Sequence, residues 1–218
     1  MSLILDGTTG VPVTTVTGTL PVANGGTGVT TSTGTGAVVL GTSPSISGAV
    51  MTTMASSVLT SATAQNSTSG TSIDFTGIPS WVKRITVMFN GVSTNGTTNL
   101  IIQLGVSGTP VATGYLGSSG VFIQGGTSNA VNNSTGFLLT GITTAATVFY
   151  GSQVISIMDA TNNIWSMTGT LGQVGAANIS VSASGGIKAL SGALNMIRIT
   201  TVNGTDTFDA GSINILYE

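Results

Sequence analysis

The sequence predicts an all-β protein: an antiparallel β-sandwich of the jelly-roll type over residues 65–218, preceded by an extended Thr/Gly-rich segment. From Gln65 onward, about ten apolar runs recur with period two, and Gly and Asn punctuate them. Helix-period patterning is nearly missing. Charged residues make up 5% of the 218 and mean hydropathy is +0.48, the reverse of a disordered composition, so the chain is expected to fold.

Residues 1–19 form a short leader. Its start, "MSLILDGTTGVP", has no basic stretch and only a three-residue apolar run, which does not make a secretory signal. Residues 20–64 are rich in Thr, Ser, Gly, Val and Ala and contain no aromatic residue, and residues 7–73 carry no charge. Side chains this small cannot fill a core of their own, so an extended segment is expected. Within it, Val50, Met54, Val58 and Ala62 recur at helical spacing, but the Thr and Ser load leaves a strand equally arguable over 48–64. A boundary is expected near residues 60–70, where "SATAQNSTSGTS" reads as a linker or turn cluster.

The strands of 65–218 follow from alternation. Ile85, Val87 and Phe89 share one face of "KRITVMFNG", and Leu100, Ile102, Leu104 and Val106 share one face of "NLIIQLGV". The dipeptides Asn90-Gly91 and Asn95-Gly96 predict tight hairpins, because both tolerate positive φ. Further runs lie at 120–124, 136–142, 146–151, 153–158, 164–171, 178–183 and 194–204. The last, 211–218, sets Ile213, Ile215 and Tyr217 on one face.

Composition excludes much chemistry. Without Cys there is no disulfide or thiolate, and without His the commonest general base and transition-metal ligand are gone. Four Lys and Arg residues cannot track a phosphate backbone, so no nucleic-acid binding is expected. No apolar run approaches the ~20 residues of a membrane helix, and aromatics at 5% are too few for the girdles of a membrane barrel. "GGTGVTTSTGTG" breaks the dinucleotide pattern at Thr31 and is followed by no Gly-Lys-Ser/Thr. Of the six carboxylates only Asp206 and Asp209 lie close together, in "NGTDTFDAG", which reads as a turn bonding its own backbone. Trp81-Val82-Lys83-Arg84 reads as a strand entrance, with an anionic-sugar contact as the alternative. No catalytic residue, metal ligand or cofactor is expected, and the chain is read as no enzyme.

Loops carry the remaining signal. "TGYLGSSG", "GGTSNAVNNSTG" and "DATNNIW" combine amides and hydroxyls with an aromatic ring in two cases, the chemistry that recognises sugars. The candidate receptor-binding residues are Tyr115, Asn129, Asn132, Asn133, Asn162, Asn163 and Trp165.

The stretch "LPVANGGTGVTTSTGTGAVVLGTSPSISG" resembles a segment that recurs in tail fibre and receptor-binding proteins of tailed bacteriophages and prophages. "SIDFTGIPSWVKRITVMFNGVS" and "RITTVNGTDTFDAGSINILYE" are similar to the carboxy-terminal heads of such fibres, and "MSLILDGTTGV" to their leaders. The resemblance implies a homotrimer located on the virion, in the tail or neck. Its leader, 1–19, joins other phage tail, baseplate or neck proteins, residues 20–64 intertwine, and the 65–218 head meets a bacterial surface glycan or outer-membrane receptor. It implies assembly in the host cytoplasm and no membrane insertion. The His-x-His iron-binding tips of some long fibres are missing, and the length suits a short fibre. The alternative is a purely structural collar, baseplate or capsid decoration. Trimerisation also suits the residues: Gly permits close approach of chains, and β-branched residues favour strands.

Overall fold

The computed structural model describes residues 59–175 and 179–218. The leader, the segment 20–58 and most of the ambiguous 48–64 stretch lie outside them. The described residues form fourteen strands and no helix. In chain order these are β1 (Thr60–Ser61), β2 (Gln65–Asn66), β3 (Ser72–Thr76), β4 (Arg84–Thr94), β5 (Leu100–Val106), β6 (Thr109–Pro110) and β7 (Leu116–Ile123). There follow β8 (Asn129–Asn132), β9 (Phe137–Leu138), β10 (Val148–Asp159), β11 (Ile164–Val174), β12 (Ile179–Ala189), β13 (Leu194–Thr201) and β14 (Phe208–Tyr217).

Every ladder is antiparallel. A nine-stranded sheet runs β1-β14-β4-β10-β11-β12-β7-β8, with β2 also on β14, and a five-stranded sheet runs β3-β13-β5-β6, with β9 on β5. The all-β, antiparallel expectation therefore holds. The sheet takes in chain from Thr60 onward: Thr60 and Ser61 pair with Tyr217 and Leu216, and Gln65 and Asn66 with Ile213 and Ser212. The linker-like "SATAQNSTSGTS" is thus held along β14, with the Ser67 hydroxyl donating to the Ala210 carbonyl at 2.8 Å.

One cluster of buried apolar side chains draws on both sheets. Ile73, Phe75, Leu100, Ile102, Leu104, Ile197 and Ile199 come from the small sheet. Ile85, Val87, Phe89, Ile155, Met167, Ile213 and Ile215 come from the large one. Each such side chain removed from water stabilises the fold by roughly 1.5–3 kcal/mol before conformational entropy is charged against it. At the edge of the small sheet, Arg198 lies directly across from Asp74 and grips it with two hydrogen bonds, 2.8 Å from Nε and 2.7 Å from Nη2. The carboxylate holds the guanidinium pKa above its usual value.

Three expectations are corrected. Asn90-Gly91 makes no hairpin; β4 runs through it to Thr94. Strands β10 and β14 flank β4 on both sides, and both ladders slip there: Phe149 faces Val92 while Tyr150 faces Asn90, and Ser212 faces Asn90 while Ala210 faces Ser93. The positive φ that suits a turn here makes a bulge instead. Asn95-Gly96 is a turn, but it carries the chain from the large sheet to the small one rather than closing a hairpin. The runs 146–151 and 153–158 merge into the single strand β10, which continues through Gly151. A Cβ at Gly151 would lie 2.7 Å from the Thr170 carbonyl, so glycine there admits the neighbouring strand.

Candidate functional site

The ladder registers bring three loop segments, two of them rich in Asn, to one end of the large sheet. Ile164 faces Ala189 on β12, Ile187 faces Leu116 on β7, and Ser118 faces Asn132 on β8. The β10–β11 turn, the approach to β7 and the exit from β8 therefore emerge side by side.

Each segment is tied down locally. In the β10–β11 turn the Asp159 carboxylate accepts hydrogen bonds from the Thr161 and Asn162 backbone amides at 2.8 and 3.1 Å. The Asn162 side chain donates to it as well, at 2.7 Å, and these bonds hold its pKa below the usual carboxylate value, the Asn162 amide foremost. Asn163 closes the turn in the left-handed region, with φ 51°. After β8, the Asn133 amide donates to the Thr135 hydroxyl at 3.0 Å and the Gly136 carbonyl at 3.1 Å. Asn132 is exposed and forms a wall, with Asn133, between two shallow clefts. One, of about 400 Å³, is bounded by Tyr115–Gly117 and Ser134; the other, of about 300 Å³, by Thr97–Asn99, Val131, Leu138 and Val202.

The candidate residues thus divide. Asn132, Asn133, Asn162 and Asn163 share this end of the sheet. Asn129 sits at the other end of β8, across from Val121, with its amide 3.4 Å from the Gly141 carbonyl. Tyr115 and Trp165, read from the sequence as rings for stacking on sugars, are core residues at 1% and 3% exposure. Register puts Trp165 on the inward face of β11, and Tyr115 turns inward just ahead of β7; there the apolar ring gains more than it would in water. The Tyr115 ring packs edge-on against Phe137, centroids 5.0 Å apart. Its hydroxyl accepts from the Leu104 amide at 2.7 Å and donates to the Val111 carbonyl at 2.9 Å, and burial pushes the phenol pKa up. This bonding fastens the approach to β7 onto the small sheet. Tyr115→Phe is expected to cost about 1–3 kcal/mol by leaving those backbone groups unpaired, read as a lower urea midpoint. An unchanged midpoint would show that the phenol fastens nothing.

Lys188, which sequence reasoning passed over, stands at this same end. It faces Trp165 across β11 and β12, is 9% exposed, and holds its ammonium 5.4 Å from the Tyr115 ring centroid.

Other sequence signals resolve into structure. Arg84 pairs with Glu218, and Trp81 leans on Tyr217 with centroids 5.9 Å apart, so Trp81–Arg84 is a strand entrance. In the 203–209 turn, Asn203 Oδ1 accepts from the Thr205 and Asp206 amides at 3.0 and 3.3 Å. Asp206 accepts from the Asn203 amide at 2.6 Å and the Thr98 backbone at 3.0 Å, with its pKa lowered, chiefly by Asn203. Toward the far end of the large sheet, Tyr150, Gly172, Val181 and Phe122 face one another in an unbroken outward row across β10, β11, β12 and β7, with Val174 and Ile179 paired beside it. Phe122 and Ile179 in this group are 61% and 65% exposed.

Comparison with known protein families, characterised proteins and solved structures finds no match for this chain.

Proposed function

We propose that this chain is a fibre protein of a tailed phage, and that its two antiparallel sheets form a β-sandwich head of jelly-roll type that binds the host surface without chemistry. The observation that carries the reading is the convergence of the 113–117, 132–134 and 159–163 segments, with their amides and hydroxyls, at one end of a rigid ladder framework. Binding loops on a fixed scaffold are how such surfaces are built. The sequence resemblance supplies the setting: a leader that docks on other virion proteins, a trimerising Thr/Gly segment, and a bacterial glycan or outer-membrane receptor as target. Three heads on one fibre, and several fibres on one particle, multiply weak contacts into firm attachment.

A second reading, a structural virion component, draws support from the exposed Tyr150–Phe122 row, since a contiguous apolar patch marks a protein contact. The two readings predict different results. A receptor-binding head, added as purified protein, labels host cells and blocks phage adsorption. A structural component does neither. A light-scattering mass three times that of the 21.5 kDa chain is expected, and a monomer mass would overturn the trimer.

A further inference from the structure

We propose that Lys188 and Trp165 form a donor site for an anionic oxygen group, the carboxylate or phosphate of an acidic surface glycan; this rests on the host-recognition reading and names its ligand class. The two side chains are direct cross-strand neighbours, so they project from the same, inward face of the large sheet. Each brings a donor that lacks an acceptor. The Trp165 indole N–H is buried with no hydrogen-bond partner among the described residues. The Lys188 ammonium has no ion pair there either: Asp74 and Glu218 are taken by Arg198 and Arg84, and Asp159 is engaged by its own turn. The Tyr115 ring faces the charge. An orphaned indole N–H in the core, next to a cation without an anion, is unfavourable unless something supplies the negative oxygen.

The charge also has a way out. Gly114 is exposed, and beyond its two chain neighbours the atom within 4 Å of where its Cβ would stand is the Lys188 Nζ, at 3.1 Å. The ammonium therefore lies directly behind a residue without a side chain. On the other side of Tyr115 begins the cleft of Asn132, Asn133 and Ser134, whose amides and hydroxyls suit sugar hydroxyls.

The test uses the full chain carrying Trp81→Phe, which leaves Trp165 as the single tryptophan reporter. Trigalacturonate, a neutral trisaccharide and inorganic phosphate are titrated while Trp165 emission and the melting temperature are followed. An anion should shift the emission and raise the melting temperature, and the neutral sugar should do so far less. Response to the uronate alone assigns a sugar carboxylate, and response to phosphate alone assigns a phosphorylated glycan. Lys188→Met should weaken binding by about tenfold or more while changing the melting temperature little, because the charge it removes has no anionic partner among the described residues. Silence to both anions, or equal anion binding by Lys188→Met, overturns the site. Cell labelling separates the two levels. Host cells labelled equally by the parent and Lys188→Met remove the site and leave host recognition standing; anion binding without labelling keeps the site and removes host recognition.

Discussion

Gly211→Val is expected to abolish folding of the two-sheet domain. Gly211 has φ +88°, in the left-handed region that a β-branched residue cannot enter without strain. Its missing Cβ is also occupied space. A carbon placed there would strike the Gly91 carbonyl, with the Asn90 oxygen 2.6 Å away. Those atoms belong to the bulge of β4, which β10 holds on one side and β14 on the other, so the obstacle cannot rotate away as a side chain would. The alternatives are to part β4 from β14 or to shift the bulge out of register, and a one-residue slip would turn Ile213 and Ile215 away from the core. The loss should exceed about 4 kcal/mol, in the range reserved for backbone conflict in a core. Soluble yield and circular dichroism read it directly. A variant that folds with the parent's urea midpoint would show that β4 and β14 do not approach as closely as described.

Gln153→Met is expected to raise stability. Gln153 is fully buried on β10, between Val87 on β4 and Gly169 on β11, and neither its amide oxygen nor its nitrogen has a hydrogen-bond partner among the described residues. An unpaired buried amide costs about 1–3 kcal/mol, and Met has nearly the same length without polar atoms to desolvate. Space is not the limit. Gly169 leaves room beside the amide, since a Cβ there would approach the Gln153 oxygen to 2.6 Å. For a domain of this size each kcal/mol moves the midpoint by about 2–4 °C, so calorimetry should record a rise of several degrees. A fall would mean that the amide is bonded in solution.

Local pattern carried a large part of the fold. The inward positions Ile85, Val87, Phe89, Leu100, Ile102, Leu104, Ile213 and Ile215 were legible because alternation along a strand assigns faces without knowledge of any partner. Asn90-Gly91 was not, because a tight turn and a bulge ask for the same positive φ. What separates them is whether the chain beyond keeps its neighbours, and β10 and β14 are about 60 and 120 residues away in sequence.

The site divides along the same line. Asn133, Asn162 and Asn163 were readable as turn residues, since short polar side chains that bond neighbouring groups or tolerate positive φ belong in turns, whereas Asn132 proves to end strand β8. Tyr115 and Trp165 sit beside those loops in sequence, yet both are buried, Trp165 by the register of β11 and Tyr115 by its bonds to the small sheet. Lys188, in "GGIKAL", carries no signal at all: a lone lysine reads as a solvated charge, and only its place across from Trp165 buries it. Sequence alone determined that this chain is all-β, poor in charge and without Cys or His, because composition and period-two alternation are local properties. Which loops meet, which glycine admits a neighbouring strand and which charge is buried were decided only by the tertiary structure, because each depends on pairing between segments distant in the chain.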